Sequence, residues 1–127
     1  MNRMTSKEYL EYISSRKKGD KYNNTKTEVD GITFDSEVEA MRYAELKTLE
    51  KAGVISELER QKKFELQPAF YYQGRKQRPI YYVCDFYYRE GDKYIIEDVK
   101  SPITRNNKVY KLKKKIMMYK GYEVRET

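Results

Sequence analysis

The chain has 127 residues, a formal net charge of +7, and 39% hydrophobic residues. This length predicts one domain with a modest core rather than two, and the short apolar runs and the lack of a leader favour a cytoplasmic protein with no membrane partner. One cysteine and no histidine exclude an internal disulfide, histidine-bound zinc and histidine-dependent triads, so any chemistry must use carboxylates, lysine, tyrosine or a bound ion.

Charge is distributed unevenly along the chain. Basic residues outnumber acidic ones in residues 1–27 and 74–127, whereas residues 28–73 carry more acidic groups than basic ones. Basic flanks around an acidic centre suit a polyanion that lysines hold near a metal site. Lysines that only keep a surface solvated give the same distribution, so charge alone does not decide between these interpretations.

The first 26 residues predict a basic N-terminal helix and a linker. A capping-box pattern begins at Thr5, and the helix is expected to end near Gly19. The polar, lysine-rich residues 17–26 are typical of a linker. The main domain is therefore expected to occupy residues 27–127.

A small hairpin and the clearest helix of the chain come next. Residues 27–34 favour a tight hairpin that turns at Asp30-Gly31. Residues 36–51 predict an amphipathic helix that carries Glu39 on its inward side. Its apolar sector is expected from Val38, Met41, Tyr43, Leu46 and Leu49. Glu39 has two interpretations, because it can complete a capping box with Ser36 or act as a functional carboxylate that faces the core.

The middle of the chain predicts strands. Residues 57–66 are expected to form one strand and residues 73–78 a basic turn. Two strands rich in aromatic and β-branched residues follow in residues 81–100, separated by a polar turn at residues 90–93. Cys84, inside the first of these strands, is expected to pack as a small apolar side chain.

Acidic residues meet in this predicted hairpin. Asp98 and Lys100 share one face of the second strand, because side chains alternate along a strand. A four-residue turn over residues 90–93 places Asp85 directly opposite Asp98, the two-residue turn Glu90-Gly91 offsets them on the same face, and a three-residue turn without a bulge brings Glu97 opposite instead. Two facing carboxylates need a positive charge between them, which favours magnesium or manganese. In the alternative interpretation, Asp98 and Lys100 form only an exposed surface pair.

The C-terminal part predicts a basic helix over residues 106–120 and a short strand over residues 122–125. This order predicts a last strand parallel to the strand that ends at Lys100. The apolar stripe of the helix is expected from Val109, Leu112, Ile116 and Met117. Its outer faces are expected to carry Lys108, Lys111, Lys114 and Lys115. The fold class is α/β, of the α+β kind: a helix, a three-stranded antiparallel meander, a helix, and a final strand in a mixed sheet.

The predicted elements carry Asp85, an Asp98-x-Lys100 triplet and, on the first helix of the domain, Glu39. This arrangement resembles the PD-(D/E)xK nuclease superfamily, which includes restriction enzymes and Holliday junction resolvases. The segments FDSEVEAMRYAEL, CDFYY, IIEDVKSPIT and VYKLKKK look still more like a phage-encoded family of unknown function, over roughly residues 22–126. Cys84 stands where the superfamily name expects proline.

The resemblance implies a metal-dependent DNA endonuclease with a restriction-endonuclease-like core. Asp85 and Asp98, with the backbone carbonyl of Val99, are implied ligands of Mg²⁺, which Mn²⁺ can replace. Lys100 is implied to orient or deprotonate the attacking water and to stabilise the transition state, and Glu39 to position water or a second ion. The candidate DNA contacts are Lys108, Lys111, Lys113, Lys114, Lys115, Arg75, Lys76 and Arg78.

The absence of a separate recognition domain favours structure-selective cutting of Holliday junctions, branched DNA or single strands, in phage recombination, replication or DNA processing. Cutting both strands of a junction needs two active sites, which predicts a homodimer. Two alternatives remain. One is a catalytically inactive nuclease fold that only binds nucleic acid. The other is a protein-interaction module with a surface formed by the tyrosine pairs Tyr71-Tyr72, Tyr81-Tyr82 and Tyr87-Tyr88.

Overall fold

The computed structural model describes residues 3–14, 26–100 and 105–127. Both helices and strands occur in these ranges, and seven successive strands separate the second helix from the third, so the predicted α+β class is confirmed. The helices are α1 (Ser6–Ser14), α2 (Glu37–Lys51) and α3 (Lys108–Tyr119). The strands are β1 (Arg3–Met4), β2 (Thr27–Val29), β3 (Ile32–Phe34), β4 (Ser56–Arg60), β5 (Lys63–Gln67), β6 (Phe70–Tyr72), β7 (Arg75–Gln77), β8 (Ile80–Val83), β9 (Phe86–Glu90), β10 (Lys93–Asp98) and β11 (Val124–Glu126).

The chain divides into two compact units. The first consists of residues 1–58 and 88–93, and the second of residues 59–87 and 94–127. The domain boundary that the sequence suggests after residue 26 stays a prediction. The expected helix end near Gly19 and most of the expected linker lie outside the described residues. In the ranges that the structure describes, no helix is long and apolar enough to cross a membrane.

The first unit contains a three-stranded sheet in the order β1, β2, β3. The Asp30-Gly31 turn between β2 and β3 confirms the predicted hairpin, since Val29 pairs with Ile32 and both turn residues have the positive φ of a type I′ turn, 52° and 79°. The Asp30 carboxylate also accepts hydrogen bonds from the Ser6 amide and hydroxyl. This turn therefore ties the hairpin to the beginning of α1.

Helix α2 begins as predicted, with Ser36 as its N-cap. Its buried apolar side chains are Ala40, Tyr43, Ala44 and Leu46. Of the predicted apolar sector, Tyr43 and Leu46 are buried, whereas Val38, Met41 and Leu49 are only half-buried. Ala40 and Ala44 share the buried face with these two larger side chains, and their small size lets α2 pack closely on α1 in the first unit.

Two of the predicted long strands are each broken in the middle. The strand expected over residues 57–66 is β4 followed by β5, and Gln61 between them has a φ of 53°. The strand expected from Tyr81 is β8 followed by β9, with Cys84 and Asp85 between them. The breaks face each other: the Gln61 amide donates to the Asp85 carbonyl at 3.0 Å, and the Cys84 amide donates to the Lys62 carbonyl at 3.1 Å. Asp85 therefore lies at an interruption of the sheet, which periodicity alone does not reveal.

The four-stranded sheet has the order β11, β10, β9, β4, and β11 is parallel to β10 as predicted, with Ile96 opposite Val124. The turn between β9 and β10 has two residues, Gly91 and Asp92. The four-residue turn and the Glu90-Gly91 turn considered from the sequence are both wrong. Gly91 takes a φ of 62°, which glycine adopts without steric cost and which allows so short a connection.

The basic turn predicted over residues 73–78 is also wrong, because part of it is strand. Tyr72 of β6 pairs with Arg75 of β7 across a turn at Gln73-Gly74, where both residues have positive φ, 50° and 75°. The turn thus uses only two residues, and Arg75–Gln77 continue as a strand. The exposed basic side chains of Arg75 and Lys76 gave this segment the composition of a loop.

Helix α3 packs with a different face from the predicted one. The core of the second unit is built from the buried side chains Tyr82, Cys84, Ile96 and Met117. Tyr110 packs against this cluster, so the inward face of α3 is the one that carries Tyr110 and Met117. Val109 and Leu112 are exposed. The predicted stripe is therefore confirmed at Met117 and wrong at Val109 and Leu112.

Cys84 is buried in this core, as expected from the sequence. Its burial raises the pKa of the thiol to about 11, so the group is a neutral packing side chain rather than a nucleophile at neutral pH.

Candidate functional site

The end of β10 and the interruption before β9 bring Asp85 and Asp98 together in the second unit. The Asp85 amide donates a hydrogen bond to Asp98 Oδ1 at 2.9 Å. The Val99 amide donates to Asp85 Oδ2 at 2.8 Å. Each carboxylate is thus oriented by a main-chain amide from the other segment, which holds both side chains in one arrangement.

Lys100 completes this group. Its Nζ lies 3.8 Å from Asp85 Oδ2 and 3.9 Å from Asp98 Oδ1. The side chain of Lys100 is only 15% exposed and that of Asp98 is fully buried, so these residues are not the exposed surface pair of the alternative interpretation. The ammonium group also lies over the ring of Tyr110, 5.0 Å from its centroid.

Thr127 holds the main chain on either side of Val99. The Thr127 amide donates to the Asp98 carbonyl at 2.9 Å, and the Lys100 amide donates to the Thr127 carbonyl at 3.3 Å. The Thr127 hydroxyl also donates to the buried Glu97 carboxylate at 3.2 Å. These contacts extend the β10–β11 pairing to Lys100 and fix the positions from which Asp98 and Lys100 project.

Electrostatics make the two aspartates an energetically costly pair. Burial raises the pKa of both carboxyl groups, and the Lys100 ammonium opposes that rise in each case. Asp98 Oδ2 is buried and has no hydrogen-bond partner among the described residues. An acceptor that is removed from water and left without a donor destabilises the fold, so this oxygen suits a ligand that brings positive charge.

Tyr110 and Glu126 surround the site, and sequence reasoning missed both. The Tyr110 hydroxyl donates to Glu126 Oε2 at 2.5 Å, and Lys114 Nζ lies 3.2 Å from Glu126 Oε1. The hydrogen bond from Tyr110 lowers the pKa of Glu126 despite partial burial, while burial and this bond raise the pKa of Tyr110. The available signal was the spacing of Tyr110 and Lys114, four residues apart on one helix.

Glu39 belongs to the first unit, on the first turn of α2, where it is half-buried. Its amide donates to Ser36 Oγ at 3.4 Å, which is the Ser36 half of a capping box. A catalytic role for Glu39 stays a prediction.

The candidate DNA contacts occur on two elements of the second unit. Lys108, Lys111 and Lys115 of α3 are exposed, while Lys113 and Lys114 are half-buried. The assignment of Lys114 to the solvent face is wrong, because it pairs with Glu126. The remaining candidate contacts, Arg75, Lys76 and Arg78, lie in and just after β7 and are exposed.

The donor set at Asp85 and Asp98 fits a hard divalent cation. Within the described ranges, no cluster of three or more histidine, cysteine, aspartate or glutamate side chains forms a metal-binding group. Magnesium, however, is commonly bound by one or two carboxylates together with water and substrate phosphate oxygens. The two adjacent carboxylates and the unsatisfied Asp98 Oδ2 meet that smaller requirement.

Comparison with known proteins identifies the family of the chain. The sequence belongs to the family described as protein of unknown function (DUF1064), which it matches over residues 19–127. This agrees with the similarity to a family of unknown function that the sequence segments indicate. No curated protein and no solved structure gives a significant match.

Proposed function

We propose that this member of the DUF1064 family is a magnesium-dependent DNA endonuclease with an active site of the PD-(D/E)xK type. The observation that carries the proposal is the convergence of Asp85, Asp98 and Lys100, with Lys100 Nζ within 3.9 Å of an oxygen of each aspartate. Two carboxylates and a lysine at the end of a strand are the groups that metal-assisted phosphodiester hydrolysis needs. The surrounding basic residues suit a polyanionic substrate.

In this proposal Asp85 and Asp98 hold the ion, and the peptide of Val99 lies beside them because its amide contacts Asp85. When bound, magnesium would lower the pKa of the attacking water and neutralise charge that develops on the scissile phosphate. The main-chain hydrogen bonds to Asp85 Oδ2 and Asp98 Oδ1 keep both carboxylates oriented before the substrate arrives. Glu39 is proposed to position water or a second ion.

Lys100 orients the attacking water and stabilises negative charge in the transition state. Its low exposure keeps bulk water away and strengthens the field of its ammonium group at the reacting atoms. Tyr110 holds this side chain from one face through its ring. The Tyr110–Glu126–Lys114 network in turn fixes the ring, so α3 contributes to the position of the lysine as well as to DNA binding.

The proposed substrate is branched, junction or single-stranded DNA. Cutting both strands of a junction requires two sites, so a homodimer is part of the proposal. We place the activity in the cytoplasm, or in the host cytoplasm if a phage encodes the protein.

The deciding experiment is a cleavage assay with labelled linear duplex, single-stranded, flap and four-way junction DNA. Each substrate is incubated with magnesium, manganese or EDTA. We expect cleavage with either metal and none with EDTA, and no cleavage by Asp98→Asn or Lys100→Ala purified in the same way. DNA binding without cleavage of any substrate would instead identify a binding module on this fold.

A further inference from the structure

The β6–β7 hairpin exposes aromatic side chains on both of its faces. Among the described residues this two-stranded sheet pairs with no other strand. Tyr71 is 73% exposed and Tyr72 is 60% exposed, and Phe70 is exposed beside them. Two-stranded hairpins are only marginally stable by themselves, and grouped exposed aromatics mark contact surfaces more often than chance placement does.

Each face of the hairpin combines a tyrosine with a cation. Tyr72 lies opposite Arg75, and Tyr71 lies opposite Lys76. Because successive residues of a strand point to opposite faces, the Tyr72–Arg75 pair occupies one face and the Tyr71–Lys76 pair the other. Flat aromatic rings are thus presented next to groups that bind phosphate.

The charge around the hairpin has one sign. No acidic residue occurs between Glu65 and Asp85, whereas Arg75, Lys76 and Arg78 lie in this interval. Two copies of the chain that met through this surface would bring like charges together, which disfavours self-association here. A polyanion with exposed flat rings of its own matches both the charge and the tyrosines.

We infer that the β6–β7 hairpin is an arm that binds single-stranded DNA, with Tyr71 and Tyr72 stacking on unpaired bases and Arg75 and Lys76 contacting phosphates. Unpaired bases offer faces for stacking, whereas the bases inside a duplex are already stacked on one another. The inference rests on the proposed nuclease function and specifies its substrate: DNA in which bases are unpaired, such as flaps, junction centres and single strands.

The test measures binding in EDTA, where no cleavage occurs. Fluorescence anisotropy of the full-length protein is recorded with a labelled single strand and with the matching duplex. The Tyr71→Ala/Tyr72→Ala variant is expected to lose roughly tenfold or more in affinity for the single strand, with little change for the duplex, because each stacked base contributes measurably. The Tyr71→Phe/Tyr72→Phe variant, which keeps both rings, is expected to bind almost as wild type.

Tyr12→Ala is the matched control, because Tyr12 is an exposed tyrosine on α1 of the first unit and is not among the candidate DNA contacts. It should leave both affinities unchanged, and thermal melts of all variants should agree since the side chains are exposed. Equal losses for single strand and duplex, or no loss, would overturn the stacking arm. So would self-association of the wild type, in the absence of DNA, that the Tyr71→Ala/Tyr72→Ala variant abolishes.

The arm and the nuclease proposal fail separately. If the wild type cuts no DNA but the double alanine variant still loses single-strand binding, the arm stands and the catalytic proposal falls. If the wild type cuts DNA with magnesium and the double alanine variant binds single strands normally, the nuclease stands and the arm falls.

Discussion

The Asp85 amide donates a hydrogen bond to the Asp98 carboxylate at 2.9 Å, which it can do because Asp85 lies between two strands rather than within one. An amide inside a continuous strand is used by the neighbouring strand. The interruption between β8 and β9 frees this amide for a side chain and turns the Asp85 carboxylate toward Val99. The acidic pair therefore depends on a break in the sheet.

Magnesium should stabilise the wild-type protein against heat. A ligand that binds only the folded state at about ten times its Kd contributes about 1.4 kcal/mol, or a Tm increase of about 5 °C for a chain of this size. Asp98→Asn should lose most of that increase, because the fully buried carboxylate is removed. Asp92→Asn, an exposed acid in the β9–β10 turn, is the matched control and should keep it. An unchanged shift in Asp98→Asn would place the ion elsewhere.

In EDTA, the protein should become more stable as the pH falls below neutral, because the pKa values of Asp85 and Asp98 are raised. Burial raises the pKa of Asp85 and Asp98 above 3.8, so the folded state takes up protons before the unfolded state as the pH falls. The free energy of unfolding should therefore rise from neutral pH toward those raised values.

This rise in the free energy of unfolding should be measured above pH 4.5. Below that pH, protonation of Glu50 and Glu126, whose pKa values are lowered in the folded state, destabilises the protein. Urea titrations across this range measure it. The Asp85→Asn/Asp98→Asn variant should show a smaller rise, and coincident curves for the two proteins would count against the raised pKa values.

Lys100→Ala should separate catalysis from metal binding. Cleavage should fall by orders of magnitude, because the charge that stabilises the transition state is lost. Without metal the variant should melt below wild type at neutral pH, since the Lys100 ammonium lies within 3.9 Å of an oxygen of each aspartate. The magnesium-induced shift in Tm should persist or grow, and calorimetry with cleavage assays would measure both effects. Wild-type turnover in this variant would remove Lys100 from the mechanism.

The lysines of α3 should divide into two groups. Lys111→Gln/Lys115→Gln should weaken DNA binding and flatten its salt dependence while the Tm hardly changes, because both side chains are exposed. Lys114→Gln should instead lower stability by about 0.5–1 kcal/mol, because it breaks a half-buried ion pair with Glu126. Salt titrations of DNA affinity and thermal melts distinguish the groups. A salt slope that Lys111→Gln/Lys115→Gln leaves unaltered would locate the DNA elsewhere.

Glu39→Gln tests whether this residue is a cap or a catalytic group. A capping box accepts glutamine as well as glutamate, so a cap predicts near-normal cleavage. A carboxylate that positions water or an ion works through its charge, so turnover should fall by orders of magnitude while Tm and DNA affinity stay near wild type. We expect the second result. Magnesium-dependent junction cleavage by Glu39→Gln is measured in parallel with cleavage by Lys100→Ala. Full activity of Glu39→Gln, with Lys100→Ala inactive, would show that Glu39 is only a cap.

The sequence by itself determined the features that depend on neighbouring residues. The Asp30-Gly31 turn follows from two residues that tolerate positive φ, and the start of α2 follows from the hydroxyl of Ser36. The parallel pairing of β10 and β11 follows from a helix placed between two strands. Alternation likewise placed Asp98 and Lys100 on one face, since that rule needs only their spacing.

Only the tertiary structure decided the break at Asp85, the buried face of α3 and the β6–β7 hairpin. Gln61 and Cys84 leave their strands because they bond to residues more than twenty positions away along the chain. Tyr110 rather than Val109 lies on the inward face of α3, because the Tyr110 hydroxyl donates a hydrogen bond to Glu126 and the Tyr110 ring packs under the Lys100 ammonium. Residues so distant in sequence come into contact only when the chain folds. The interactions that stabilise these arrangements therefore cannot be predicted from the local pattern of apolar and polar residues.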